Sequence, residues 1–197
     1  MNKKYKLLVI HGFNSSPLSF KALAIKKYVQ IHFPDIEVIS PQLKTNPKEA
    51  IAQLCQIIDN DLDCQWFLTG SSLGGFYATY LVAKYHCKAV LINPAVKPYE
   101  LLQDVLGQQT NPYTGETFEV TSEHMQYLQQ IERPVFEPKN FFVMVQTGDE
   151  VLDYRQAVEK YQQCEFIVQQ GGDHSFIGFD AMLSTIMTFF LAHECSL

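Results

Sequence analysis

Short apolar runs alternate along the whole chain with segments in which apolar residues recur every three or four positions. The runs are rich in valine, isoleucine and phenylalanine, and they lie at Tyr5–Ile10, Ile36–Ile39, Trp66–Thr69, Ala89–Ile92, Phe141–Val145 and Glu165–Val168. Several runs are apolar throughout, which is typical of strands that are covered on both faces. The pattern therefore predicts about six strands in a mostly parallel sheet.

The segment after the first run predicts a helix with one apolar face. That face is formed by Phe20, Leu23, Ala24, Tyr28 and Ile31. Ser16 is a residue type that caps helix N-termini, and Pro17 suits the first turn. We therefore expect this helix to begin near Ser16 and to pack the listed face on the sheet.

Three further segments show helical spacing. Asn46, Pro47 and Glu49 resemble an N-cap, a first-turn proline and a third-position acid. The apolar faces consist of Ile51, Leu54, Cys55 and Ile58 in the second helix, of Phe76, Tyr77, Tyr80 and Leu81 in the third, and of Phe179, Met182, Leu183, Ile186, Met187 and Phe190 in the last. Strands and helices that alternate in this way favour a three-layer α/β fold with right-handed crossovers.

One interval, from Ala95 to Asn140, breaks this alternation and contains no evident strand. Tyr99–Leu106 and Ser122–Ile131 have helical spacing, and Asn111–Gly115 has the composition of a turn. A long excursion inside a compact domain often forms a lid or binding loop, although a plain surface insertion gives the same pattern. We expect residues 1–197 to form one domain in which 95–140 is a cap over the site.

Composition and charge narrow the class of protein. The 197 residues fit a single domain, and 47% hydrophobic with 18% charged residues is an ordinary globular composition. The formal net charge is −6, and lysine and arginine do not cluster as they do in nucleic-acid-binding proteins. We therefore expect no nucleic-acid partner.

The cysteines and the apolar segments bear on the compartment. There are five cysteines, Cys55, Cys64, Cys87, Cys164 and Cys195, with no C-x-x-C spacing, so reduced thiols are expected rather than disulfides or a zinc site. The apolar run Leu7–Ile10 is too short for a signal peptide, and no stretch is long enough to cross a membrane. These observations favour a cytoplasmic protein.

The strongest chemical signal is the segment Gly70–Gly74, which directly follows one predicted strand and precedes a predicted helix. This is the G-x-S-x-G pattern of a nucleophile elbow, in which a sharp strand-to-helix turn projects the serine from the sheet. Ser72 is at the central position, whereas Ser71 is out of register with the glycines. A glycine-rich turn without catalysis is the alternative for the motif taken alone.

A serine nucleophile needs a base, and the base needs an orienting acid. In chain order the acid and then the histidine follow this type of serine. His174 is the histidine that comes after the last predicted strand and before the last helix, in a glycine-rich turn. Asp149, just past the strand Phe141–Val145, is the preferred acid, with Glu150 and Asp153 as competitors; Asp153 also suits a helix N-cap.

Two backbone N–H groups are expected to form an oxyanion hole. One comes from Leu73, directly after the proposed nucleophile, and the other from Phe13, in the loop after the first strand. His11 in that loop is expected to be structural. The sequence has no phosphate-binding lysine motif, dinucleotide-binding glycine motif or H-E-x-x-H pattern, so neither a cofactor nor a metal is expected.

Long segments around these residues resemble the α/β-hydrolase superfamily and, more narrowly, the small bacterial esterases of the YqiA type. The resemblance runs nearly end to end and is carried by His11–Pro17, Gly70–Gly75, Asn93–Val96, Asn111–Gly115 and Thr147–Arg155. It implies hydrolysis of carboxylic esters, and of thioesters such as acyl-CoA, with no cofactor. The nucleophile, acid and base positions of the family correspond to Ser72, Asp149 and His174.

The sequence thus favours a serine esterase that acts on small-molecule esters through an acyl-serine intermediate. Two alternatives use the same residues: an acyltransferase, which passes the acyl group to another alcohol or amine, and a non-catalytic relative that binds a ligand in the same pocket. The oligomeric state is left open by these patterns.

Overall fold

A computed structural model describes residues 4–192. Its strands are β1 (Tyr5–Ile10), β2 (Ile36–Ile39), β3 (Gln65–Ser72), β4 (Lys88–Pro94), β5 (Gly107–Thr110), β6 (Thr117–Val120), β7 (Phe141–Gln146) and β8 (Glu165–Gln169). Its helices are α1 (Phe20–His32), α2 (Pro47–Asp59), α3 (Leu73–Tyr85), α4 (Pro98–Leu101), α5 (Ser122–Ile131), α6 (Tyr154–Lys160) and α7 (Leu183–Leu191). Short 3-10 turns follow α4 (Leu102–Val105), precede β7 (Pro138–Asn140) and precede α7 (Phe179–Met182).

Six of the strands form one sheet in the order β2-β1-β3-β4-β7-β8, and every neighbouring pair is parallel. The predicted six-stranded α/β fold is thereby confirmed. The chain order reverses between β1 and β3, and ligands of parallel α/β proteins bind outside the carboxyl ends of strands at such a point. In this chain the loop after β1 and the end of β3 lie there.

Both faces of the central strands are buried, as the uniformly apolar runs predicted. In β1, Leu8 and Ile10 pack with α2 and α3 on one face, whereas Leu7 and Val9 pack with α1 and α7 on the other. All four side chains are at most 4% exposed. This alternation produces the three layers of the domain and fixes the strand ends that carry the site.

Helix α1 differs from the sequence expectation in its packing and in its start. Ala22, Ile25 and Val29 are buried against the sheet, whereas Phe20 and Ile31, on the predicted face, are about 60% exposed. Apolar residues occupy two sides of this helix, so the spacing of apolar positions did not show which side packs on the sheet. The side that does so contains the small residue Ala22.

The predicted cap of α1 was also wrong. The helix begins three residues later than expected, with Ser19 at the N-cap position. Ser16 instead closes a turn just before the helix, where its Oγ accepts the Leu18 N–H at 3.0 Å. By contrast, Asn46 caps α2 as predicted, since its Oδ1 accepts the Lys48 N–H at 2.9 Å.

The interval expected to lack strands contains a short antiparallel hairpin, β5–β6. Its turn is the predicted Asn111–Gly115 segment, in which Asn111 Oδ1 accepts the Tyr113 and Thr114 N–H groups. Asn111 Nδ2 also donates to the Ser15 carbonyl at 3.0 Å and so holds the hairpin against the loop after β1. The β5 sequence, Gly-Gln-Gln-Thr, has no apolar residue, which is why periodicity did not identify it.

Candidate active site

Ser72 lies at a sharp turn between β3 and α3, at the carboxyl edge of the sheet. Its backbone has φ 53° and ψ −123°, a conformation that non-glycine residues rarely adopt and that costs about 1–3 kcal/mol. Such strain persists only where the surrounding structure imposes it, and it marks candidate functional residues. The predicted elbow is therefore present in the geometry as well as in the sequence.

The two glycines of the elbow are required by close backbone approach. A Cβ built on Gly70 would lie 2.4 Å from the Gly74 carbonyl oxygen, and one on Gly74 would lie 2.2 Å from the Ile10 carbonyl oxygen. Both distances are far shorter than van der Waals contact. The spacing of glycines around Ser72 thus follows from how tightly the turn packs on β1.

We expect Gly74→Ala to lower the free energy of unfolding by about 3 kcal/mol or more, because the backbone of β1 must move to admit the methyl group. Gly115→Ala is the matched control: Gly115 has φ 72° with nothing near its Cβ position, so only backbone strain of about 1 kcal/mol is expected. Urea unfolding of both variants tests this. Equal losses of stability would contradict the packing argument.

His174 lies in the turn between β8 and the last helix, where it pairs with Asp149. Its Nδ1–H donates to the Asp149 carboxylate, with Nδ1 2.8 Å from Oδ2 and 3.0 Å from Oδ1. The Asp149 side chain is only 2% exposed, and that of His174 is 25% exposed. Since Nδ1 is engaged by the acid, the other ring nitrogen is the one left to act on a substrate.

Hydrogen bonds keep Asp149 ionised in this buried position. Burial alone would raise the pKa of the carboxyl, but the bonds from His174 and from the Leu152 and Val151 N–H groups hold the pKa below its ordinary value. Both N–H groups donate to Oδ1, at 2.8 and 2.9 Å. Oδ2 makes the shorter of the two contacts with the imidazole.

The two competing acids have other partners. Asp153 is the N-cap of α6, where its Oδ1 accepts the Arg155 N–H at 3.0 Å. Glu150 accepts the backbone N–H of His174 at 3.0 Å through Oε2. It therefore bonds to the backbone of residues 170–178, which we call the histidine loop, and not to the imidazole ring. Of the three candidates, Asp149 is the one hydrogen-bonded to the His174 side chain.

Two buried polar residues that the sequence analysis did not select hold the histidine loop in place. Asn93 Nδ2 donates to the carbonyls of Asp173 and His174, and its Oδ1 accepts the Gln146 N–H. Gln146 Oε1 accepts the N–H groups of Asp173 and Ile177, and its Nε2 donates to the Ile177 carbonyl. A lone polar residue at the end of a buried strand was the available signal for both.

The loop after β1 borders Ser72 on the opposite side. Gly12 is so close that a Cβ built on it would lie 3.0 Å from the Ser72 Cβ. Leu73 is the first residue of α3, so its N–H has no acceptor within the helix. Phe13 and Leu73, the predicted oxyanion donors, both line a pocket with Ser72.

His11 anchors this loop, as the sequence analysis expected. Its Nδ1–H donates to the Gly12 carbonyl at 2.9 Å, and its Nε2 accepts the Leu43 N–H at 3.1 Å. The ring must be neutral to make both bonds. Burial lowers the pKa of His11, whereas the bond to Gly12 opposes that shift.

A histidine whose pKa falls on folding stabilises the protein above its ordinary pKa of about 6.5 and loses that contribution as the pH drops below it. We therefore expect the free energy of unfolding to decrease on acidification from about pH 7 to 5.5, and to decrease less in His11→Gln. The exposed His32→Gln is the control. An unchanged pH slope in His11→Gln would contradict this assignment.

Ser72 borders two pockets that differ in chemistry. The first, of about 310 Å³, is mostly apolar and is lined by Phe13, Ser72, Leu73, Ala95, Pro98, Leu101, Leu102, Asp104, Val105, Val151 and Leu152. The second, of about 350 Å³, has more polar side chains in its lining and is bordered by Gly12, Phe13, Asn14, Ser15, Ser19, Phe20, Lys21, Ser71, Ser72, Tyr113, Glu150, His174 and Ser175. We call them the apolar pocket and the polar pocket.

Ser72 and His174 both line the polar pocket, although no hydrogen bond joins their side chains within residues 4–192. Catalytic hydrogen bonds are often long in proteins without a ligand and shorten when substrate binds. The structure thus brings Ser72, His174 and Asp149 to one edge of the sheet, with the first two facing one cavity.

The 95–140 segment contributes to both pockets, through Leu101, Leu102 and Val105 to the apolar pocket and through Tyr113 to the polar one. Three other apolar or aromatic residues of the segment line neither pocket. Tyr99 donates to Glu132, and Met125 and Leu128 pack in the core beside α2 and α3. The first part of the segment is therefore the part nearest Ser72.

Over the described residues there is no cluster of histidine, cysteine or acidic side chains that would hold a metal ion. Cys55, Cys64, Cys87 and Cys164 are free thiols, while Cys195 and His193 lie outside the described range. None of the helices between residues 4 and 192 is long and apolar enough to cross a membrane.

Several solved structures share this architecture. Est1E from Butyrivibrio proteoclasticus, with ferulic acid bound, has a TM-score of 0.74 at 14% identity over 96% of this chain and 89% of that one. Alpha/beta hydrolase domain-containing protein 10 from mouse has a TM-score of 0.69 at 16% identity over 92% and 88%. A structure of the metagenome-derived lipolytic enzymes LipS and LipT has a TM-score of 0.68 at 16% identity over 97% and 95%.

At these identities the likeness concerns the fold alone, and it confirms the predicted α/β-hydrolase fold. A family model matches residues 6–191, which includes the elbow, the histidine loop and the whole 95–140 segment. The match thus covers almost all of the described chain. The chain belongs to the family described as Uncharacterised protein family (UPF0227), and its fold is that of the α/β-hydrolases.

Proposed function

We propose that this protein is a serine hydrolase that cleaves carboxylic esters through an acyl-serine intermediate. The observation that carries the proposal is the His174–Asp149 pair beside a pocket that also contains Ser72 on its strained elbow. An ester substrate is further supported by two structural relatives, one with ferulic acid bound and one described as lipolytic. Thioesters contain the same electrophilic carbonyl and are included in the proposal.

In the first half of the proposed reaction, His174 removes the proton from the Ser72 hydroxyl while Oγ bonds to the substrate carbonyl carbon. The negative oxygen of the tetrahedral intermediate is stabilised by the N–H groups of Phe13 and Leu73. The intermediate then collapses to an acyl-serine, the bond to the leaving oxygen or sulfur breaks, and that atom takes the proton from His174.

In the second half, a water molecule replaces the departed alcohol or thiol. His174 takes a proton from this water as its oxygen attacks the acyl-serine carbonyl, and the proton returns to Ser72 Oγ when the carboxylic acid leaves. Asp149 stays ionised throughout, which stabilises the imidazolium that forms in each half. Its lowered pKa, due to the hydrogen bonds described above, suits this role.

Activity-based labelling tests the nucleophile without a guess at the substrate. We expect a fluorophosphonate probe to add one adduct, to be detected by intact mass, and the labelled peptide to contain Ser72. The adduct should be absent in Ser72→Ala and present in Ser184→Ala, which changes an exposed serine on α7. A label on another residue would refute the assignment of the nucleophile.

Labelling does not separate a hydrolase from an acyltransferase, because both form the same acyl-serine. Product analysis with p-nitrophenyl butyrate does so: a hydrolase releases butyric acid whether or not glycerol or an amine is added. If the acid is replaced by a butyryl ester or amide of the added nucleophile at millimolar concentration, the transferase alternative is favoured instead.

A further inference from the structure

The two pockets at Ser72 are lined by different residue types, since charged and hydroxyl side chains are concentrated in the polar pocket, and only that pocket contains the proposed general acid. The polar pocket includes His174, and no residue of the histidine loop lines the apolar pocket. Ser72 and Phe13 belong to both. The reacting carbonyl would therefore lie where the pockets meet, with one side of the ester directed into each.

Proton transfer decides which side of the ester enters which pocket. The imidazole that deprotonates Ser72 must next protonate the leaving atom, so that atom has to lie within hydrogen-bond reach of His174. The leaving group then extends into the polar pocket. The acyl group, on the other side of the carbonyl, extends into the apolar pocket between Leu73 and the segment 98–105.

We propose, on the basis of the proposed esterase function, that the preferred substrates are esters of a short or medium acyl chain with a neutral, hydroxyl-rich alcohol such as a polyol. The apolar pocket selects the acyl chain, and the polar pocket selects the alcohol. Apart from Ser72 and Phe13, which line both pockets, each selection depends on different side chains and is tested by different variants.

The apolar pocket limits the acyl group by its size. Its volume is about 310 Å³. At roughly 30 Å³ for each heavy atom, the share that a water molecule takes in the liquid, that space holds about ten atoms. Leu102 and Leu152 are buried in its wall, whereas Leu101 is 39% exposed at its edge. A linear chain of four to eight carbons therefore fills the pocket, and the end of a longer chain would lie in solvent.

The charges that line the polar pocket favour a neutral leaving group. Lys21 and Glu150 contribute one charge of each sign, so their charges balance and give no net attraction for an anionic or a cationic alcohol. Both groups are already partly engaged: Lys21 Nζ donates to the Ser175 carbonyl, and Glu150 accepts the His174 N–H. An ammonium has three N–H donors and a carboxylate has about four acceptor positions, so each can bind a further group.

The remaining lining groups suit hydroxyls. Serine side chains both donate and accept, as alcohol hydroxyls do, and besides the nucleophile the polar pocket contains Ser15, Ser19, Ser71 and Ser175. Ser175 Oγ already donates to Asp173, which leaves it as an acceptor. Two aromatic rings at its edge, Phe20 and Tyr113, are 60% and 50% exposed. Such rings can pack against the C–H groups of a polyol while its hydroxyls bond to the pocket and to water.

A matched pair of esters tests the assignment of the leaving group. Glyceryl monobutyrate and pentyl butyrate share the acyl group, and their alcohols have the same number of heavy atoms. We expect kcat/KM, measured from the acid released, to be at least about tenfold higher for the glyceryl ester, because its hydroxyls gain hydrogen bonds that the pentyl chain cannot make. Equal values, or a preference for pentyl butyrate, would overturn the proposal.

Variants of each pocket should separate the two preferences. Tyr113→Ala and Lys21→Met should lower the glyceryl-to-pentyl ratio of kcat/KM while leaving the acyl-chain profile of p-nitrophenyl esters unchanged. Leu101→Trp should shift that profile toward shorter chains and leave the ratio unchanged. Phe136→Ala, an exposed aromatic residue that lines neither pocket, is the control and should change neither readout.

The outcomes distinguish this inference from the function on which it rests. If Ser72 is labelled by a fluorophosphonate and p-nitrophenyl butyrate is hydrolysed, but the variants move both preferences together or neither, the pocket assignment is wrong and the esterase function stands. If no ester is hydrolysed and Ser72 is not labelled, the proposed function fails, and the inference fails with it.

Discussion

Replacing Ser72 by alanine is expected to lower kcat for p-nitrophenyl butyrate by about 10⁶-fold, the loss found when a catalytic serine is removed from a well-studied hydrolase. The substitution removes the only atom that forms the covalent bond. The residual rate comes from the oxyanion donors and from substrate binding, which alanine leaves in place.

The fold should tolerate this substitution. Ser72 already has φ 53°, and alanine meets the same backbone restriction there as serine does. Its Oγ makes no hydrogen bond to other side chains within residues 4–192 that the change would break. The melting temperature should therefore stay within a few degrees of that of the parent protein.

The control is Ser184→Ala, which alters an exposed serine on α7 and should keep full activity. Turnover in Ser72→Ala at a tenth of the parent rate or more, with an unchanged melting temperature, would rule out Ser72 as the nucleophile. A loss of activity together with a large loss of stability would be resolved by Ser72→Cys, which should retain a nucleophile and react with thiol-directed probes.

The sheet was predictable because each central strand can be recognised from its own sequence. Residues of β1 and β7 are buried on both faces, and this requirement produces uniformly apolar runs that need no knowledge of the partner strands. The bounds of β1 and β2 agree with the runs residue for residue. The elbow was predictable for a similar reason, since Gly70 and Gly74 are dictated by local backbone contact.

The packing of α1 was not predictable from spacing. Its apolar residues are distributed around most of the helix, and the contact with the sheet, rather than the helix itself, selects the side with Ala22 and Ile25. The hairpin β5–β6 was not predicted because it has too few apolar residues to show a pattern. Its first strand is wholly polar, and its place is fixed by contacts such as that of Asn111 with Ser15, distant in sequence.

The site was predictable in part. Chain order and position after a strand were sufficient to select His174. For the acid they favoured Asp149 but left Glu150 and Asp153 as alternatives. The supporting residues were not selected, because Asn93 acts on the backbone of a loop that lies 80 positions further along the chain. No local pattern contains that information, although a buried strand that ends in asparagine or glutamine is a hint.

The choice between the acids leads to the second large effect. Asp149→Asn is expected to reduce kcat by about 10⁴-fold, which is the loss reported for the equivalent change in the best-studied serine triad. The reason lies in how the two carboxylate oxygens are used. Oδ1 accepts the N–H groups of Val151 and Leu152, and Oδ2 makes the shortest contact with His174 Nδ1.

In the asparagine variant, the two backbone donors hold the amide oxygen at the Oδ1 position, so the amide NH₂ replaces Oδ2 against the imidazole. An NH₂ group can only donate, and His174 Nδ1 must then accept. The ring proton moves to the other nitrogen, which can no longer take the proton of Ser72. The variant keeps its contacts and its fold, yet most molecules have the wrong tautomer for catalysis.

Two matched variants make the test specific. Asp153→Asn should lower kcat only slightly, because asparagine caps a helix about as well as aspartate and the cap on α6 is preserved. Glu150→Gln should also lower kcat only slightly, because the glutamine oxygen can still accept the His174 N–H. Steady-state kinetics with p-nitrophenyl butyrate rank the three variants. A large loss in Asp153→Asn with a small one in Asp149→Asn would reverse the assignment, and equal losses in all three would show that the acidic cluster acts through its charge rather than through the bond to His174.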